Sequence, residues 1–285
     1  MSRGPAIVLV TLAMMTAMAA RARAQHCHVD LPDDEAAAGE HAHHGAGHHG
    51  HHGHHARPRP WWLGATSTLV VGSGSVAGEA RDYQGAGVGV QGGWRRVSAR
   101  AWLPAYRVAA EGVGVGDALV AVAADLVPGR GRARGGIAAS ISLPTGDSDA
   151  GRGMGHVMIA AGGWARVSAG RARLTGAVVW ARAIGDGAEH SAHLHQATLW
   201  PLVDPMNPEE LAVDASATAV LAPRLRAGVG ATYAAALAAG GADRVVPYAL
   251  AELGHGRYSV STQLAVPVVG DPFVARGTLE LAYRY

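Results

Sequence analysis

The stretch from Phe273 to Tyr285 constrains the rest of the chain most. Taken alternately, Ala275, Gly277, Leu279, Leu281, Tyr283 and Tyr285 make one set; Val274, Arg276, Thr278, Glu280, Ala282 and Arg284 make the other. The first set is apolar and ends in two aromatics, and the second carries the charge. Successive side chains of a strand point to opposite sides, so this stretch predicts a strand with one greasy and one wet face. An edge strand of a soluble sheet would satisfy the same pattern. Its recurrence upstream decides between the two.

From Trp61 onward about twelve segments read as strands, at roughly 63–76, 84–95, 96–107, 114–127, 133–144, 154–167, 171–184, 209–222, 224–238, 244–254, 257–268 and 273–285. Leu225, Val229, Ala231, Tyr233 and Leu237 oppose Arg226, Gly228, Gly230 and Thr232. Tyr258, Val260, Thr262, Leu264, Val266 and Val268 oppose Ser259, Ser261 and Gln263. Arg182 falls on the greasy face of its segment and has to snorkel. Short links near Trp94–Arg96, Pro128–Arg132, Val167–Arg171, Pro223 and Gly254–Gly256 alternate with longer ones near 77–83, 108–113, 145–153 and 185–208. Charged residues make up only 16% of the chain, against about a quarter in soluble domains. Many apolar positions are Ala or Gly, which would fill a soluble core poorly but are tolerable against lipid.

No run after the first twenty residues is long and apolar enough for a helical span. Only helices and closed barrels satisfy every backbone group in lipid. The expected fold is therefore all-β: a closed antiparallel transmembrane β-barrel of about twelve strands over 61–285, in the outer membrane of a Gram-negative-type bacterium. Its partners would be outer-membrane lipids and the barrel assembly machinery, for which an aromatic closing strand serves as the signal. Net charge is +2, carried without any Lys, which argues against a nucleic-acid surface.

Residues 1–24 read as a secretory signal. Arg3 starts it, an uncharged run fills 6–20, and Ala22-Arg23-Ala24 offers a small-x-small cleavage site. Composition then changes abruptly. Over 25–60 lie His26, His28, His41, His43, His44, His48, His49, His51, His52, His54 and His55, spaced by Gly and Ala. Almost nothing there can enter a core, so a disordered tail on the periplasmic side is expected. Neutral imidazole ligates Zn(II), Cu(II) and Ni(II), and closely spaced imidazoles on a flexible chain can wrap an ion. Cys27 between His26 and His28 adds a thiolate. It is the chain's one cysteine, so no internal disulfide framework exists. A passive low-complexity linker is the bland alternative.

Further candidate ligands are His190, His193 and His195 in the longest loop. The predicted lumen carries Arg100, Asp117, Asp125, Arg173, Asp214, Arg226, Gln263, Arg276, Glu280 and Arg284. Opposed charges there either pair and plug the barrel or line a wet path, since twelve strands fall between the filled eight-strand barrel and the open sixteen-strand porin. Asp147 and Asp149 fit no complete calcium loop. Ser142 and His156 are the nearest approach to a hydrolytic pair and lack any motif, so no enzyme is expected.

Residues 142–155 read Ser-Leu-Pro-Thr-Gly-Asp-Ser-Asp-Ala-Gly-Arg-Gly-Met-Gly. A strand ending Leu-Pro-Thr-Gly-Asp, returning through Gly-x-Gly-x-Gly, resembles the outer-membrane transporter family of the phenol meta-cleavage pathway. The closing Gly277, Leu279, Leu281, Tyr283 and Tyr285 fit that family too, and the similarity spans about 60–285. It implies an outer-membrane barrel with an uptake or efflux role and brings no catalytic motif. The histidine tail departs from the family's pattern and moves the expected solute from phenols towards transition metals. The functional expectation is a channel or transporter-like barrel, passing a transition metal or another small solute, whose tail binds metal and feeds or buffers transport. A non-conducting metal-binding or structural outer-membrane protein is the alternative.

Overall fold

A computed structural model describes residues 61–76, 79–109, 112–127, 132–148, 150, 152–184, 207–238, 241–270 and 273–285. The signal segment, the tail with its eleven histidines and Cys27, Asp149, and His190, His193 and His195 lie outside the described residues.

The strands are β1 (Trp61–Val76), β2 (Glu79–Trp94), β3 (Val97–Val108), β4 (Gly112–Val115), β5 (Ala118–Val127), β6 (Ala133–Leu143), β7 (Val157–Ala169), β8 (Ala172–Ile184), β9 (Glu209–Ala222), β10 (Leu225–Ala236), β11 (Arg244–His255), β12 (Tyr258–Ala265) and β13 (Phe273–Arg284). There is no helix among the described residues. Neighbours pair antiparallel in chain order, and β13 closes on β1 from Gly64↔Arg284 to Gly74↔Phe273. Closure leaves the sheet without an edge, which a strand wall in lipid requires.

The thirteen segments form twelve wall strands, because β4 and β5 are two parts of one. Both pair with β3, at Ala105↔Val115 and Trp102↔Leu119. Between these pairs β4–β5 holds one residue more than β3, a bulge at Gly116–Asp117. The cause sits opposite: Pro104 has no N–H to donate, so the ladder loses a rung there. The Gly116 N–H still donates to the Pro104 carbonyl, at 2.9 Å. The strand expected at 114–127 is thus divided.

A second correction concerns 77–83, read as a long loop. Pairing runs without a break from Trp61↔Trp94 to Val76↔Glu79, so the hairpin has only two residues between its strands. The charged run Glu79-Ala80-Arg81-Asp82 carries no apolar alternation and suggests a loop, but Tyr83 beyond it is fixed in the ladder, its ring lying at Gly72. A Cβ at Gly72 would fall 2.2 Å from that ring. At the same end of the wall β12 stops at Ala265, short of the expected 268; beyond it the N–H groups of Val266 and Val268 still donate to Pro247 and Val245, and Val245↔Val269 bridges.

The two faces of the wall differ as the alternation requires. Leu63, Val71, Val88, Val90, Val120, Val122, Ile137, Leu174, Val178, Val229 and Leu281 are exposed on the outside. So wide an apolar exterior suits lipid and would be untenable in water. The connections after β2, β5, β7, β9 and β11 are short and share one end of the barrel with Trp61 and Tyr285. We call this the turn end; the opposite end, with 144–156, 185–208, 237–243 and 266–272, is the loop end. Aromatics mark both. Trp61, Trp94, Tyr258 and Tyr285 are exposed at the turn end, where Tyr283 packs between Tyr258 and Tyr285 at 4.8 and 4.7 Å. At the loop end Trp180 Nε1 donates to Glu209 (3.0 Å) and Tyr233 Oη to Asp243 (2.8 Å). Amphipathic rings settle at membrane interfaces, one polar end wet. Arg182, exposed on the outer face, lies two residues from the end of β8, close enough to the rim to reach water.

The expectation that small residues turn to lipid is only half right. Gly85, Gly87, Gly89, Gly136, Gly228 and Gly230 share the inner face with the charged residues. Several lie under aromatic rings of the next strand. A Cβ at Gly87 would sit 2.5 Å from the Trp102 ring, at Gly85 2.3 Å from Tyr106, at Gly136 2.8 Å from Trp164 and at Gly230 2.4 Å from Tyr248. In a narrow barrel an inward ring needs floor space, and glycine provides it.

Candidate functional site

The barrel interior is the candidate site. Register alone sets its membership: Arg100 faces Gln91 and Ala121, Arg173 faces Ser168 and Thr218, Arg226 faces Glu252, and Gln263 faces Leu250 and Thr278. Asp125, Asp214, Arg276, Glu280 and Arg284 fall on the same inner face. These nine share one surface; Asp117, the tenth residue expected inside, stands in the bulge between β4 and β5, outside the ladder.

Arg100 reaches across β2 and β1 to Glu280, Nη2 to Oε2 at 3.0 Å, and passes Thr66 Oγ1 at 3.4 Å. The glycines of β2 clear that path. Arg134, from β6, pairs with Asp125. Asp214 accepts Thr232 Oγ1 at 2.8 Å and Tyr248 Oη at 2.9 and 3.0 Å, a clamp over three strands. Arg284 lies 4.5 Å above the ring of Trp62, a cation–π contact. Arg134 and Arg166 stand directly opposite each other on β6 and β7, and Arg166 also stacks 6.0 Å from Trp164.

Asp117 has another task. Its carboxylate accepts the N–H of Gly146 at 2.9 Å and of Met154 at 2.7 Å. Thr145 Oγ1 donates to the Gly116 carbonyl and accepts the Ala118 N–H. The bulge at Pro104 thus exposes backbone and a carboxylate that pin the 144–156 loop to the wall. Asp147 turns back on its own loop, accepting from Ala150 N and Arg152 Nη2. Ala150, Met154 and His156 of this loop are buried. His156 Nε2 contacts Met158 Sδ at 3.2 Å; Ser142 is one rung away on β6, facing Met158.

Two parts of the interior escaped the sequence reading. One is an ion-pair cluster at the loop end. Glu210 accepts from Asn207 N (3.2 Å), Asn207 Nδ2 (3.0 Å) and Arg244, all three residues being almost fully buried. It ties the start of β9 to that of β11; alternation with Asp214 turns Glu210 inward but does not tell that Asn207 and Arg244 would meet it. The other is apolar. Met154, Met158, Trp164, Val179 and Ala181 cluster on one wall; Val70, Tyr83, Trp102, Tyr106 and Val108 cluster on another. Its signal was present, since Gly85, Gly87 and Gly89 at period two precede Trp102 and Tyr106, which share one face of the next strand. Among the described residues no group of three His, Cys, Asp or Glu side chains converges to hold a metal.

No family model matches the chain, and none of the curated proteins does. Solved structures do. The chain is similar to an outer-membrane channel from Pseudomonas putida F1, with a TM-score of 0.58 and 11% identity over 79% of this chain and 95% of that one. It also aligns, at a TM-score of 0.44 and 12% identity, with the translocator domain of the autotransporter NalP from Neisseria meningitidis, over 82% and 90% of the two chains. The first likeness establishes the fold, that of the Gram-negative outer-membrane barrels.

Proposed function

We propose that the protein is an outer-membrane channel or transporter-like barrel, with its turn end and tail in the periplasm, and that the tail supplies transition-metal ligands to or beside the pore. The observation that carries the reading is the inner face itself. Opposed charges run along it, from Arg284 at the turn end through Arg100–Glu280 and Asp214 to Glu210–Arg244 at the loop end. A barrel kept only as a membrane anchor has no need of so many charged groups on its inside, each costly to desolvate. Every connection at the turn end is short, whereas the loop end carries the four long ones, 144–156, 185–208, 237–243 and 266–272, beside two short hairpins, and this asymmetry supports the orientation.

Planar-bilayer recording tests the channel. The full chain is expected to give discrete conductance steps that change when Arg100→Gln or Glu280→Gln breaks the cross-lumen pair. Absence of steps from a barrel shown to be folded by heat-modifiable gel mobility would favour the non-conducting alternative. Calorimetric titration with Zn(II), Cu(II) and Ni(II) tests the tail. Binding should weaken as pH falls through about 6.5, where free imidazole gains its proton. Deleting 25–57 should remove most of it and leave the barrel folded; binding that survives deletion would move the site to His190, His193 and His195.

A further inference from the structure

The turns at the barrel's turn end repeat one arrangement. Arg96, Arg132, Arg171, Arg224 and Arg257 follow β2, β5, β7, β9 and β11 respectively. Each fixes its backbone in the same way, the carbonyl accepting an N–H from the strand beyond: Asp125, Ser168, Val220, Gly254 and Arg284 in turn. The side chains are all exposed. The ladder therefore holds five guanidinium stems at equivalent places around the rim, one per hairpin. From Arg96 round to Arg257 neighbours stand two strand spacings apart, roughly 10 Å before strand tilt is counted, and the gap from Arg257 back to Arg96 is four spacings, across β13, β1 and β2. Arg95 adds a sixth and lies 4.6 Å above the Trp94 ring.

Two of these positions are unfavourable for an arginine. Arg95 and Arg224 have φ of 54° and 74°, the left-handed region where a side chain is strained. Gly170 and Gly256 take that region without strain in two other turns of the same rim. No Asp or Glu lies among the described turn residues at this end. The nearest acids, Asp125, Glu252 and Glu280, face inward, whereas the loop end exposes Asp82, Asp147 and Asp243. The ring of charge shares its rim with the exposed Trp61, Trp94, Tyr258 and Tyr285, the residues that sit at headgroup depth.

We propose that the turn end is a binding ring for anionic glycerophospholipid headgroups of the inner leaflet of the outer membrane. Phosphate accepts from guanidinium in the planar fork that Arg presents, and Arg is the only cationic side chain used. The proposal rests on reading the turn end as periplasmic.

Native mass spectrometry of the refolded full chain in a neutral detergent, offered equal phosphatidylglycerol and phosphatidylcholine, tests it. The wild type should retain phosphatidylglycerol selectively, and rising salt should erode the preference. Each lost charge should lower retention about five-fold, so R96Q/R171Q/R257Q should lose about a hundred-fold. R96K/R171K/R257K, which keeps the charge and loses the fork, should fall between the wild type and the Gln triple, whereas R107Q/R182Q, whose exposed arginines lie at the loop end, should keep most of it. Heat-modifiable mobility identifies folded variants; should the Gln triple not fold, the salt titration and the Lys triple carry the comparison. Equal retention of the two lipids by the wild type, or undiminished selectivity in the folded Gln triple, overturns the ring. An epitope inserted at Gly170 and reached by antibody on intact cells would instead refute the periplasmic reading and, with it, the choice of an inner-leaflet lipid.

Discussion

Placing Arg at Leu279 should destabilise the barrel by an amount set by depth. Leu279 is on the outer face of β13, paired with Leu69 and Thr262. Five residues separate it from the strand end at Arg284. At about 3.3 Å per residue and a tilt near 40°, that is about 12 Å along the membrane normal. The apolar band of such barrels is about 25 Å tall, so Leu279 falls near its middle. Arg there should cost about 2–4 kcal/mol. Leu281 is about 5 Å nearer the interface and should cost less; Tyr283, within the aromatic girdle, about 0–1 kcal/mol. Thr278 faces inward and is buried, so Arg there meets crowding rather than lipid and should cost about 1–3 kcal/mol. Urea titration of barrels folded into vesicles, scored by gel mobility, reads the series. With slopes of about 1–3 kcal/mol/M, a loss of 3 kcal/mol moves the midpoint by about 1–3 M. Equal costs at 279, 281 and 283 would refute both the face assignment and the placement in lipid.

Other perturbations follow from the interior and its loops. Asp117→Asn weakens the acceptor of the Gly146 and Met154 amides; a loss of about 1–3 kcal/mol is expected, with faster proteolysis confined to 144–156, and unchanged cleavage there would mean that Asp117 does not hold the loop. Gly87→Ala should cost about 1–3 kcal/mol through its clash with Trp102, and Trp102→Leu should relieve most of that penalty in a double-mutant cycle; purely additive costs would dismiss the ring-over-glycine pairing. The Ala236 N–H, then the Tyr233 hydroxyl, hold the Asp243 carboxyl below its usual range. A depressed carboxylate contributes stability above its unfolded pKa and loses it as pH falls through the folded one. Hydrogen exchange at Ala236 should therefore stay slow until pH drops below about 3.9; acceleration already at pH 5 would contradict the assignment.

Much of this fold could be read from period-two patterning because a membrane wall exposes that pattern on every strand. Segment 209–222 agrees with β9 residue for residue. The failures have local causes. At 77–83 the charged run Glu79-Ala80-Arg81-Asp82 hides the strand, although Gly72 makes room for Tyr83. At 114–127 the break was missed because its cause, Pro104, lies on the neighbouring strand. For the interior, alternation tells which residues turn inward but not which meet. The Arg100–Glu280 pair joins positions 180 residues apart, and the turn of Asp117 towards 144–156 depends on a bulge in its own strand.

The aromatic–glycine contacts also bear on how the sheet finds its alignment during assembly. A hairpin that slips by two residues keeps every side chain on its proper face, so burial alone cannot detect the error. A ring resting on a glycine can. Slipped one way, Trp164 of β7 would meet Ala138 instead of Gly136, and slipped the other way, Arg134. Tyr248 is held more loosely: Thr232 blocks one direction, while Gly228 leaves the other open. On β2 the run Gly85, Gly87, Gly89 leaves Tyr106 one direction of slip open, while Tyr83 blocks the other; Tyr83 on Gly72 and Trp62 on Gly93 both mark the correct frame with β1. Proofreading of strand pairing is thus uneven around the barrel, strict at β6–β7 and looser at β10–β11 and β2–β3, where slip in one direction leaves a ring on glycine.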